Sequence, residues 1–147
     1  MNEETLSRLS NKLSDSPILR AAALPSPNEV EAAAEEIGIP FPSDYREFLL
    51  KFGGAMVGPY PIYGLRPVEV MGWNEWSVVE MTKRSRKNNI LGTENWAIVS
   101  TDHAGNPIGI DRDGLIWVHD HDFGGVALLV DNFEEYIRVW CWGLAPS

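Results

Sequence analysis

The residues best equipped for chemistry lie late in the chain, in the string His119-Asp120-His121-Asp122. Imidazole nitrogens and carboxylate oxygens are the donors that zinc and related ions take. In an extended strand, however, side chains alternate, so His119 and His121 share one face while Asp120 and Asp122 point to the other. Two imidazoles alone do not complete a metal site. The chain holds three histidines and one cysteine, without a His-Glu-x-x-His string. A solvated strand end is therefore the preferred reading, and neither metal nor other cofactor is expected. Asp111-Arg112-Asp113-Gly114 opens like a calcium loop, but an apolar residue stands where the third side-chain oxygen is needed, so it reads as a charged hairpin turn. Ser100-Thr101-Asp102-His103 holds nucleophile and base types side by side; neighbours in sequence do not converge as a triad does, and no Gly-x-Ser-x-Gly elbow occurs. Gly53-Gly54 and Gly124-Gly125 lack the residues of a phosphate loop. Cys141, between Trp140 and Trp142, reads as a packed small hydrophobe. No catalytic set is complete, and an enzyme is not expected.

The elements that carry these groups follow from the apolar pattern. Residues 3–14 fit a short helix with Leu6, Leu9 and Leu13 on one side, and Asp15 to Pro25 reads as a connection. A second helix starts at Ser26, with Pro27 at its first position and Glu29 where a capping box needs it. Val30, Ala33, Ala34 and Ile37 form its stripe, and Gly38 ends it. After a link stiffened by Pro40 and Pro42, a third helix is expected with Ser43 as cap and Tyr45, Phe48, Leu49 and Phe52 inward, stopping at Gly53-Gly54. Ile62 to Leu65 reads as a short strand. Asn74 to Asn89 reads as a helix turning Trp73, Trp76, Val79 and either Met81 or Thr82 toward the core. Its basic end, Lys83, Arg84, Arg86 and Lys87, complements the helix dipole. Residues 96–122 read as an antiparallel meander of three strands, turning at Ala104-Gly105-Asn106 and Arg112-Asp113-Gly114. Asp131 and Glu134 look like a capping pair for a closing helix with Phe133, Tyr136, Ile137 and Trp140 inward. Trp96 and Trp117 are expected in the core as well. This order predicts one α+β domain whose mostly antiparallel sheet is flanked by helices.

A chain of 147 residues is long enough to bury roughly 68–70% of its unfolded surface, and 44% hydrophobic residues with 10% aromatic exclude disorder for most of it. Twelve Lys and Arg against 21 Asp and Glu leave a net charge of −9, which repels nucleic-acid phosphate and suits a basic protein partner. A lone cysteine excludes a disulfide scaffold and fits a reducing compartment. The polar start MNEETLSRLS is unlike a signal peptide, and no window approaches the ~20 apolar residues of a membrane span. A soluble cytoplasmic protein is expected, with neither nucleic acid nor membrane as partner.

The string GIPFPSDYREFLLKFGG, Gly38 to Gly54, resembles the opening motif of the SUKH superfamily of cell-wall-synthesis regulators and bacterial immunity proteins. Ile98 to Trp117, with its Asp-x-x-Gly-Asn turn at Asp102 to Asn106, and Phe133-Glu134-Glu135-Tyr136-Ile137 resemble two further motifs of that superfamily, in the same order. The resemblance divides the chain into an N-terminal extension, 1–25, with a short helix, and a SUKH-like α+β domain, 26–147. It implies a non-catalytic protein that binds and neutralises a cognate toxin domain, often a nuclease. The alternative it leaves open is an intracellular interaction or regulatory module without a toxin partner. A basic nuclease cleft would be met by carboxylates, and Glu69, Glu75, Asp111, Asp113, Asp120 and Asp122 are the charged candidates. Trp73 and Trp76, beside a turn, are the apolar anchor candidates.

Overall fold

A computed structural model describes residues 1–72, 77–90, 92–122 and 124–146. Helix α1 (Glu3–Asp15) is capped by Asn2, whose Oδ1 accepts the Thr5 N–H at 2.8 Å, and its Leu9 and Leu13 are buried in the common core. The expected N-terminal helix is thus packed into the same core as the rest. Helix α2 (Pro27–Ile37) has the full capping box: Ser26 Oγ accepts from Glu29 N, and Glu29 accepts from Ser26 N. Gly38 ends it at φ 81°, the left-handed conformation a side chain resists.

Helix α3 (Ser43–Phe52) buries Tyr45, Phe48, Leu49 and Phe52, the four expected residues. Its cap differs from expectation. Pro42 precedes the first turn and Ser43 lies within it; the neighbouring carboxylate takes over, Asp44 Oδ1 accepting from Tyr45 N and Oδ2 from Glu134 N. Helix α4 (Val78–Lys87) starts later than the sequence suggested, because the Ser77 hydroxyl accepts the Val79 N–H at 3.1 Å and fixes its first turn there. The inward residues are Val78, Met81, Thr82 and Ser85, with Val79 half-buried; Trp73, Glu75 and Trp76 lie outside the described residues.

Six strands follow one another as a meander: β1 (Ala55–Val57), β2 (Tyr60–Ile62), β3 (Ala97–Thr101), β4 (Pro107–Ile110), β5 (Ile116–Asp120) and β6 (Gly125–Val130). Spatial order equals chain order and every pairing is antiparallel. The fold is α+β, as predicted. The sequence reading placed one strand at Ile62 to Leu65; the chain instead makes a tight hairpin two residues earlier, β1 to β2, turning at Gly58 with φ 57°. A Cβ on Gly58 would stand 2.2 Å from the Cys141 carbonyl oxygen, so only glycine admits this approach. Strand β6 was not anticipated at all.

From the registers, Ser100, Ile108, Val118 and Ala127 share one face, and Ile98, Gly109, Trp117 and Leu128 the other. The first face packs against α3 and the closing helix, α5 (Phe133–Glu135), which widens into a π-helical segment, Tyr136–Cys141. The second packs against α4, whose Met81 and Ser85 lie beside Ile98, Thr101 and Pro107. Strand β4, at the centre, is buried at all four positions, while Gly125 to Leu128 of β6 are exposed.

Two aromatic expectations need correction at the closing helix and on β5. The cap is Asn132, whose Oδ1 accepts from Glu135 N, one residue after the expected Asp131. Because the π turn spaces residues more widely, the inward position passes from Trp140 to Cys141: Cys141 is buried and Trp140 is 43% exposed. Trp117 is half-buried, whereas Trp96 is buried with its side chain against Gly109.

Hydroxyls tie the layers together. Tyr45 donates to the Tyr63 carbonyl at 2.6 Å, and Tyr136 donates to Ser100 Oγ, which in turn donates to the Pro61 carbonyl. Replacing Tyr45 by Phe removes a buried hydrogen bond to the Tyr63 carbonyl and is expected to cost about 1–3 kcal/mol. Urea unfolding should show a lower midpoint at unchanged slope.

Candidate functional site

One local device recurs three times along the meander. Asp102 Oδ1 accepts from Ala104 N and Asn106 N, closing the β3–β4 turn. Asp111 Oδ1 accepts from Asp113 N and Leu115 N, closing the β4–β5 turn. Asp120 Oδ1 accepts from Asp122 N at the β5–β6 turn. An aspartate that bonds the backbone two residues on is the chemistry of an Asx turn. Gly105 and Gly114 take the left-handed positions these loops require, at φ 81° and 85°. Asp111 Oδ2 also accepts the Trp117 indole N–H at 2.8 Å. Asn106 links two of the turns, donating to Asp102 Oδ2 and accepting from His121 N.

The four aspartates expected to face a partner therefore divide. Asp111 and Asp120 spend carboxylate oxygens on their own turns, while Asp113 and Asp122 are exposed. They also lie at opposite ends of β5, since the two turns flank that strand. Asp113 is joined by Asp44, Asp131 and Glu134 around one concavity; Asp122 shares the other end with Asp102. Glu69 is exposed on a short 3-10 turn, Glu69–Met71, that packs beside the Pro17–Leu19 turn at the β1 side of the sheet. The candidates thus occupy separate regions of the surface.

The groups of catalytic residue type have definite places in the fold. The His119 and His121 rings lie 5.9 Å apart, and among the described residues no group of three or more His, Cys, Asp or Glu is placed to hold a metal. Ser100 Oγ is committed between Tyr136 and Pro61. Burial pushes the Tyr45 and Tyr136 phenols well above their ordinary range and does the same to the Cys141 thiol, which keeps all three neutral at physiological pH.

The profile of the SMI1 / KNR4 family (SUKH-1) matches residues 24–139. The chain belongs to that family. No curated protein matches it significantly. No helix among the described residues is long and apolar enough to cross a membrane.

In this SUKH-1 chain the sequence reading missed the end of the sheet. Val126 and Leu128 are 44% and 47% exposed on β6, opposite His119 and Trp117, and Asp131 follows at the strand's end. The run Val126 to Val130 has no polar alternation to mark it as a strand with one wet face, and that is why it escaped notice. The glycines before it were its only signal.

Asp111 and Asp113 are separable by mutation. Asp111→Ala removes the turn anchor and the indole acceptor, with an expected cost of about 1–3 kcal/mol and a red shift of Trp117 emission. Asp113→Ala is expected within about 0.5 kcal/mol of the parent protein. Denaturant titration followed by tryptophan fluorescence measures both.

Proposed function

We propose that this chain is a non-catalytic immunity protein that binds and neutralises a cognate toxin domain in the bacterial cytoplasm. The observation that carries the reading is a SUKH-1 domain in which three aspartates, Asp113, Asp122 and Asp131, stand exposed around β5 and β6. Inhibition without chemistry needs a rigid surface that occupies the partner's working face. The net charge of −9 supports a basic partner, of which nucleases are the leading class, because a nuclease cleft must attract phosphate. Exposed carboxylates on Asp113, Asp122 and Asp131 would steer association, and Trp73, Glu75 and Trp76 stay with them as proposed contacts. The regulatory interaction module remains the rival reading, since the family assignment supports both.

The test is capture of the toxin domain encoded beside this gene. Tagged protein should co-elute with it in stoichiometric amount and abolish its activity; co-elution without inhibition, or no capture, favours the regulatory module. Reversing Asp113 and Asp131 to Lys together should slow association about tenfold or more at low salt while leaving the rate in high salt nearly unchanged. Stopped-flow fluorescence reads both rates, and equal rates at low salt would remove these two carboxylates from the interface.

A further inference from the structure

The two edges of the sheet are treated differently. At β1 the edge is covered: Arg20 bridges Ala55, Ala21 N donates to the Gly54 carbonyl, and Gly58 lies against the Cys141 carbonyl. At β6 the strand order ends, and no described element pairs beyond it. Natural edges are normally blunted by lysine, proline or a covering segment, because an open row of N–H and C=O groups invites another strand. Strand β6, Gly-Val-Ala-Leu-Leu-Val, carries none of these residues.

A groove lies along its second half, from Leu128 to Val130. Leu128 and Val130 on the strand, with Val139 and Pro146 beyond the closing helix, give apolar walls, and Asp131 and Glu135 line the same groove. Glu135 is already paired with Arg138 at 3.0 Å, so Asp131 supplies the exposed charge at this end and Asp122 at the other. Strand, flanking helix and open polar edge are the three parts of a β-addition site.

We propose that β6 takes up an extended segment of the partner polypeptide as an added strand, apolar at alternate positions and carrying Lys or Arg at its ends. Charge complementarity decides between occupants. A second copy of this chain, pairing antiparallel through the same strand, would set Asp122 of each copy toward Asp131 of the other, so self-pairing brings like charges together. A basic strand meets a carboxylate at both ends. The inference rests on the partner's being a polypeptide and is indifferent to whether that partner is a toxin.

The probe is the synthetic peptide Lys-Lys-(Val-Thr)3-Lys-Lys, titrated into the intact protein at low salt and followed by backbone amide NMR and calorimetry. Shifts should concentrate on residues 125–130 and the facing Val139, with dissociation in the micromolar to millimolar range. A Glu-flanked counterpart should bind about tenfold or more weakly, and so should a peptide N-methylated at alternate residues, which has lost ladder donors. Leu128→Lys, a change at an exposed site that should leave the fold intact, should abolish the shifts. Absence of shifts on β6, equal binding of the N-methylated peptide, or a dimer with β6 amides already protected in the free protein would each overturn the proposal. None of these outcomes depends on toxin capture, so the two readings fail separately.

Discussion

The seam between β2 and β3 is the constraint on which the rest depends. The two strands share a single paired register position, Ile62 with Ser100, supplemented by Tyr63 N donating to Val99 O at 2.8 Å. A sheet joined so narrowly would part into a hairpin and a meander. Buried hydroxyls close it: Tyr136 through Ser100 to the Pro61 carbonyl, Tyr45 to the Tyr63 carbonyl, and Tyr63 with Thr101. Each bond spans the seam or anchors a helix to it, and those of Tyr45 and Tyr136 are fully buried, so losing a partner there is costly. Helices α3 and α5 then lock on each other through Tyr45, Phe48 and Phe133, whose rings meet edge to face at 5.0 and 5.4 Å.

That locking leaves one end of the molecule free to serve as a surface. Burial falls from the fully covered β4 to the exposed β6, while the turns around β5 are stiffened by aspartates bound to their own backbones. Stiff turns hold the neighbouring carboxylates, Asp113 and Asp122, in place without consuming them. A preorganised acidic surface loses little entropy on docking, which is what an inhibitor acting by occupancy requires. Ser100, a nucleophile type in the sequence, is committed to hydrogen bonds that hold the sheet, and Cys141 is buried as the packed small hydrophobe the sequence suggested.

Local rules made much of this legible. The capping box at Ser26, the stripe on α3 and the Asp-Gly turns each depend on residues within one turn of each other, and each appears where the sequence puts it. The β1–β2 hairpin brings Gly58 against the distant Cys141 carbonyl, and the start of α4 is held by the Ser77 cap together with Val78 N donating to the distant Gly64 carbonyl. The π-helical widening that exchanges Trp140 for Cys141 leaves the i, i+3, i+4, i+7 pattern of the sequence intact and so cannot be seen in it. At the surface, charge counting cannot tell one carboxylate's duty from another's: Asp111 and Asp113 are two residues apart, one an anchor and one exposed.

Amide hydrogen exchange on the protein, free and then saturated with the proposed partner domain, tests the central claim most directly. The account predicts partner-dependent slowing at residues 111–131, the facing part of the closing helix and the proposed contacts at residues 73–76, with α1, β1 and the Pro17–Leu19 turn unchanged. Slowing centred on α1 and β1, with residues 111–131 exchanging as in the free protein, would contradict it.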